Sequence, residues 1–179
     1  MKNHFTRLVP EDISLPFDCG DEDLNHFLFN DAVPYQNHLL SVTYIGKTDK
    51  RIAYFFSLSN DKISAIDNSA AFWRKMKKLF PHSKHRKDYP AVKIGRLGVD
   101  LSFQRSPEHW GSLIIKMLKL WMIHDNKTGC RFITVDAYRH AVPFYLKNDF
   151  QFMGKEEELR YHTGKDTTIV LYFDLYSIV

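Results

Sequence analysis

Apolar positions along the chain recur in two rhythms, every second residue in some stretches and every third or fourth in others. HFTRLV alternates as a short first strand. CGDEDLNHFLFN follows as a helix, with acids at its head, Gly20 and Asp21 at its entrance, and Leu24, Phe27 and Leu28 at helical spacing. LLSVTYIG and RIAYFFSLSND read as two strands separated by the turn-like KTDK, a hairpin signal. A helix is expected from about Ser69 to Phe80, where Pro81 and the polar HSKHRKDYP end it.

AVKIGRLGV is apolar enough to lie in a sheet interior. After a loop and Pro107, a long helix is marked by Leu113, Ile114, Met117, Leu118, Trp121 and Met122 on one side. Lys116 and Lys119 interrupt that stripe, and DNKTG stops the helix. CRFITVDA is a further buried strand, RHAVPFYLKN a shorter helix, FQFMG a strand and TTIVLYFDL the last strand. This order predicts an α/β fold with one mixed sheet, in a single domain covering residues 1–179.

Composition narrows the class. A chain of 179 residues, 44% hydrophobic and 26% charged with 14 Phe and 9 Tyr, can bury a core without disulfides or a structural metal, which excludes general disorder. Its two cysteines, Cys19 and Cys130, are far apart and lack CxxC spacing, so neither a disulfide framework nor a zinc site is expected, and a reducing cytoplasm is the expected home. The nine histidines show no HExxH or paired ligand spacing, so no metal is expected. The opening MKNHFTRLVPEDIS lacks the apolar core of a signal peptide, and no run reaches the length of a membrane span, so no membrane partner is expected.

The net charge of +4 decides little, whereas its distribution is informative. Arg74, Lys75, Lys77, Lys78, Lys84, Arg86, Lys87 and Lys93 crowd the segment 74–93, in which Asp88 is the only acid. With Trp73, Phe80 and Tyr89 interleaved for stacking, this segment suits a nucleic acid such as tRNA. A solvated helix and loop would have the same composition, and both readings stand.

IGRLGVDLSFQRSPEHWGSLI, from Ile94 to Ile114, is a strand, a loop and a helix start. The first N–H groups of a helix have no internal partner and the macrodipole favours an anion there, so this junction suits a phosphate. Loops of this kind are usually glycine-rich; this one keeps only Gly111 at the helix entrance.

Four segments, FDCGDEDLNHFL, IGRLGVDLSFQ, GSLIIKMLKLW and TVDAYRHAVPFYLKNDFQFMG, occur in an order that resembles the GNAT acyltransferase superfamily. The similarity is greatest to the subgroup with an FDCG start and an RLxVD strand, which includes bacterial toxins that acetylate the amine of aminoacyl-tRNA. The resemblance implies a single-domain, mostly antiparallel sheet whose splayed central strands, flanked by helices, admit acetyl-CoA. It also implies that backbone groups of Leu97, Gly98 and Val99 hold the pantetheine arm, and that the loop of Gln104, Arg105, His109, Trp110, Gly111 and Ser112 faces the pyrophosphate. The loop departs from the family pattern QGxGxGxxL: it is two residues longer, with Arg105 and His109 where glycines are expected. Either the amides near Gly111 still hold phosphate with help from Arg105 or His109, or Trp110 fills the cleft and the domain has lost its cofactor.

The same resemblance makes Tyr145, in PFYLKNDF, the general acid that protonates the leaving thiolate, with Tyr138 as a second choice. Asp149 stands where the family has a glycine, a backbone position that Asp tolerates. Asp100 and Asp136, at the ends of the two central strands, are candidate bases or loop caps, and Arg96 faces either an anionic substrate or a structural partner. The expected activity is acetyl transfer to a primary amine: a small amine, a protein amine or aminoacyl-tRNA. The alternative is an inactive acyl-CoA-binding or protein-interaction module on the same fold. An antitoxin and a homodimer both remain open as partners.

Overall fold

The computed structural model describes residues 5–64, 70–78, 87–104, 106–107, 109–164 and 167–179. The chain forms two compact units, one of residues 1–59 and 94–121, the other of residues 60–93 and 122–179. Two long strands, β3 (Ile52–Ser64) and β4 (Asp88–Val99), contribute residues to both. The hydrogen-bonded strand order is β1-β2-β3-β4-β5-β7-β6.

In the first unit, β1 (Thr6–Arg7) and β2 (Val42–Lys47) pair antiparallel, with Thr6 opposite Ile45. β2 in turn pairs antiparallel with β3, Val42 opposite Leu58, and the register slips between Gly46 and Lys47. Residues 52–58 of β3 are buried without alternation, as expected of a strand covered on both faces. The predicted first helix is longer than its apolar pattern: α1 (Glu22–His26) continues through a π turn (Phe27–Asp31) into α2 (Ala32–Asn37). Asp21 caps α1 by accepting from the Leu24 N–H at 3.1 Å. Phe17, Phe27, Leu28, Ile45, Ile52 and Phe55 form the core of this unit. α4 (Trp110–His124) buries Ile114, Ile115 and Leu118.

In the second unit, β5 (Phe132–Tyr138) pairs antiparallel with β7 (Thr168–Asp174), Val135 opposite Leu171, and the short β6 (Gln151–Phe152) flanks β7. α3 (Ala70–Lys78) buries Phe72, Trp73 and Met76 against Ile63, Tyr89, Phe132 and Tyr172. The proposed stacking role of Trp73 and Tyr89 is thereby corrected: they pack on each other at 5.3 Å and are 8% and 4% exposed, so their faces are spent on the core. Phe80, Lys84 and Arg86 lie outside the described residues.

α5 (Val142–Lys147) matches the predicted short helix, and Asp149 just beyond it takes the left-handed φ of 64° that a glycine would otherwise supply. α6 (Lys155–Thr163) was not predicted, because KEEELRYHT has no apolar stripe and buries only Glu157. Glu157 accepts from the Val170 N–H at 2.7 Å, so a polar contact docks this helix. Among the described residues no helix is long and apolar enough to cross a membrane.

Candidate active site

The strand end at Leu97, Gly98 and Val99 owes its position to a missing side chain. A Cβ on Gly98 would lie 2.7 Å from the Phe55 ring and 3.2 Å from that of Phe17, so only glycine lets this strand lie so close to the two aromatics. Phe17 and Phe55 meet edge to face at 5.4 Å beneath it.

The next residue, Asp100, is 1% exposed and fully engaged. Its Oδ1 accepts from Arg51 at 3.0 Å and from the Ser102 N–H at 2.9 Å, with the Ser102 hydroxyl in addition. Its Oδ2 accepts from the Asp18 N–H at 3.1 Å, and the Leu101 N–H donates back to the Asp18 carbonyl at 2.8 Å. Burial alone would raise the Asp100 carboxyl; the hydrogen bonds from Ser102 and Asp18, with the Arg51 charge, outweigh it and hold the group below its usual range. Asp100 therefore caps the loop it precedes.

Asp18 also accepts from the Gly20 N–H and from Asn25, each at 2.8 Å, while Asn25 accepts from the Cys19 N–H at 3.0 Å. FDCG and the VD of RLxVD are thus two halves of one clasp. The sequence offered both motifs, but no signal in it named Arg51, Ser102 or Asn25 as their partners. Gln104 completes the clasp by donating Nε2 to the carbonyls of Val99 at 2.7 Å and Cys19 at 2.9 Å.

The loop then turns into α4. His109 takes φ 49°, and its carbonyl accepts from the Leu113 N–H at 3.1 Å, so the helix begins at Trp110. The left-handed backbone explains why a glycine is expected at this point, and His is among the residues that tolerate it. The N–H groups of Trp110, Gly111 and Ser112 find no acceptor among the described residues. Trp110 is half-buried and lies against Phe103 at 5.8 Å and Tyr54 at 5.9 Å, so its ring has a packing place of its own. Arg105 lies outside the described residues.

Arg96 finds a structural partner: its guanidinium lies 5.1 Å above the Phe27 ring, with Nε 3.7 Å from Asp23. In the second unit, Tyr145 is 7% exposed and packed edge to face with Phe144 and Phe150. Burial pushes its phenol well above the usual value. Tyr138 is half exposed and stacks on His140 at 5.8 Å. Asp136 is ion-paired to Lys93, Nζ to Oδ2 at 2.6 Å. No cluster of metal-ligating side chains occurs among the described residues.

This strand, loop and helix start lie on a seven-stranded, mostly antiparallel sheet, a fold shared with solved acetyl-CoA-bound and tRNA-bound proteins. Its solved neighbours include a tyrosine-to-phenylalanine variant of KacT, 21% identical with a TM-score of 0.70 over 97% of this chain and 95% of that one. AtaT complexed with acetyl-methionyl-tRNAfMet is 22% identical, with a TM-score of 0.70 over 97% and 95%. AtaTR bound with acetyl-CoA is 21% identical, with a TM-score of 0.66 over 97% and 94%. No protein-family model and no curated protein sequence matches the chain.

Proposed function

We propose that the chain is an acetyl-CoA-dependent N-acyltransferase that moves an acetyl group to a primary amine by direct attack in a ternary complex. The observation that carries this reading is the start of α4, where three N–H groups without acceptors among the described residues follow a strand end that Gly98 packs tightly, in a fold shared with a protein solved with acetyl-CoA. These N–H groups and the helix dipole suit a pyrophosphate. The backbone of Leu97, Gly98 and Val99 would hold the pantetheine arm. Bound there, acetyl-CoA supplies an acyl group activated as a thioester.

Tyr145 is the residue we assign to hold a proton at Oη for the leaving group. Its burial keeps that proton in place at neutral pH, and general-acid assistance is worth roughly 10² to 10⁴ in rate. A KacT structure with a tyrosine replaced by phenylalanine supports testing this residue first. Tyr138, exposed and stacked on His140, is the second choice.

For the acceptor, the reading extends to aminoacyl-tRNA, since AtaT was solved with acetyl-methionyl-tRNAfMet, and to a protein antitoxin, since the AtaT toxin was solved with AtaR. Arg74, Lys75 and Lys78, exposed on α3, supply charge for an RNA backbone without an aromatic platform. The test is an acetyl-transfer screen with charged tRNA, peptides and polyamines, run on the parent and on Tyr145→Phe. Turnover about 10² to 10⁴ lower in the variant at equal cofactor affinity supports the assignment. CoA binding without transfer to any amine would favour the inactive acyl-CoA-binding module.

A further inference from the structure

The second unit contains a cavity of about 270 Å³, walled by the end of β3, by β4, β5 and β7, and by α6. Its lining is charged, and the pairing of those charges is uneven. Each cation among the described lining residues already has an acid: Lys93 holds Asp136 at 2.6 Å, Arg160 holds Glu157 at 2.8 Å, and Lys62 holds Asp88 at 3.4 Å. Two lining acids, Asp61 and Glu156, have no cation partner among the described residues.

Asp61 is the more confined of the two. It is half-buried, and Oδ2 accepts from the hydroxyl of Thr134, which is 1% exposed, while Oδ1 has no partner among the described residues. A carboxylate partly withdrawn from water calls for a cation or further donors. A phosphate or carboxylate ligand would meet the unspent negative charge, and an apolar ligand would leave it unpaired. An ammonium group brings three donors and the opposite charge. The same wall already displays that chemistry, with the Lys93 ammonium seated on Asp136. The volume is at the small end of ligand pockets and suits the amine end of a larger molecule.

We infer that this cavity binds a primary ammonium group, with Asp61 as its counter-ion and Glu156 at its mouth. That the ligand is the acetyl acceptor rests on the transferase reading; the binding site itself does not.

The test is an NMR titration of the full chain, without CoA, by methioninamide and by N-acetylmethioninamide. Methioninamide should shift the amides of Asp61 and Val170, and the acetylated compound, which has no ammonium, should not. Asp61→Asn keeps an acceptor for Thr134, so the fold should hold by its melting profile, while affinity for methioninamide falls about tenfold or more, as for a hydrogen bond to a charged group. Equal binding by Asp61→Asn, equal binding of the acetylated compound, or no binding of either overturns the site. If methioninamide binds while acetyl-CoA does not, the site stands and the transferase reading falls. If acetyl transfer proceeds while methioninamide leaves the cavity unperturbed, the reverse holds.

Discussion

The two ends of the loop from Asp100 to His109 are built on opposite principles. At the first end, Asp100 accepts from Arg51, Ser102 and Asp18, and Gln104 ties down the carbonyls of Val99 and Cys19. At the second, the N–H groups of Trp110, Gly111 and Ser112 are left without acceptors among the described residues. The first N–H groups of a helix have no partner within it, which leaves them open to an incoming anion. The contrast makes the coupling of the two ends a testable property of the loop.

The sharpest way to break this contrast is at the satisfied end. Asp100→Ala leaves the Arg51 charge and the Asp18 and Ser102 N–H groups without their acceptor, and should cost about 3 kcal/mol of stability, measured by urea unfolding. CoA binding should fall with it. An unfolding midpoint within error of the parent's would mean that the clasp does not fix the loop.

Gly111→Glu attacks the open end instead. It places a negative charge in the first turn of α4, where an acid favours the helix itself, so stability without ligand should hold. What should vanish is the gain from CoA, about 2.7 kcal/mol at 100 times the dissociation constant, or roughly 5 to 10 °C in melting temperature for a chain of this size. Pantetheine, lacking the diphosphate, should stabilise the parent much less than CoA. Equal shifts from the two ligands would move phosphate recognition away from α4.

Gln104→Ala removes one donor that serves two carbonyls and should cost about 1 kcal/mol, read from the same urea curves. Its effect on CoA affinity tests whether the two ends are coupled, since, among the described residues, Gln104 bonds only at the first. The smallest effect is on pH dependence. Asp100 has a lower pKa folded than unfolded, so its contribution is complete above the unfolded value, about 4, and is lost as pH falls through the folded value. Asp100→Asn should flatten that acid limb. A limb of the same slope in the variant would assign it to other carboxylates.

Several elements were legible because their pattern is local. The β2–β3 hairpin, α3, α4, β5, α5 and β7 each show either a periodic apolar pattern or a continuous apolar run, set by which faces are buried. The site segment from Leu97 to Ser112 could be singled out because a strand, a loop and a helix start follow one another directly in the chain. α6 escaped because a buried glutamate docks it, and a polar contact leaves no periodicity. The length of the first helix escaped because a π turn shifts the phase of its apolar positions.

By itself, then, the sequence determined the types of the elements with an apolar pattern and the position of the candidate phosphate loop, since both follow from neighbouring residues. Tertiary structure alone decided the partners. Asp18 and Asp100 stand 82 positions apart, and Asp61 and Thr134 stand 73 apart. Trp73 and Tyr89, which have the composition of a stacking platform, are core because the sheet covers them. In each case the deciding quantity is which distant groups the strand order brings within hydrogen-bond or van der Waals range, and a pairing over that separation leaves no trace in local spacing.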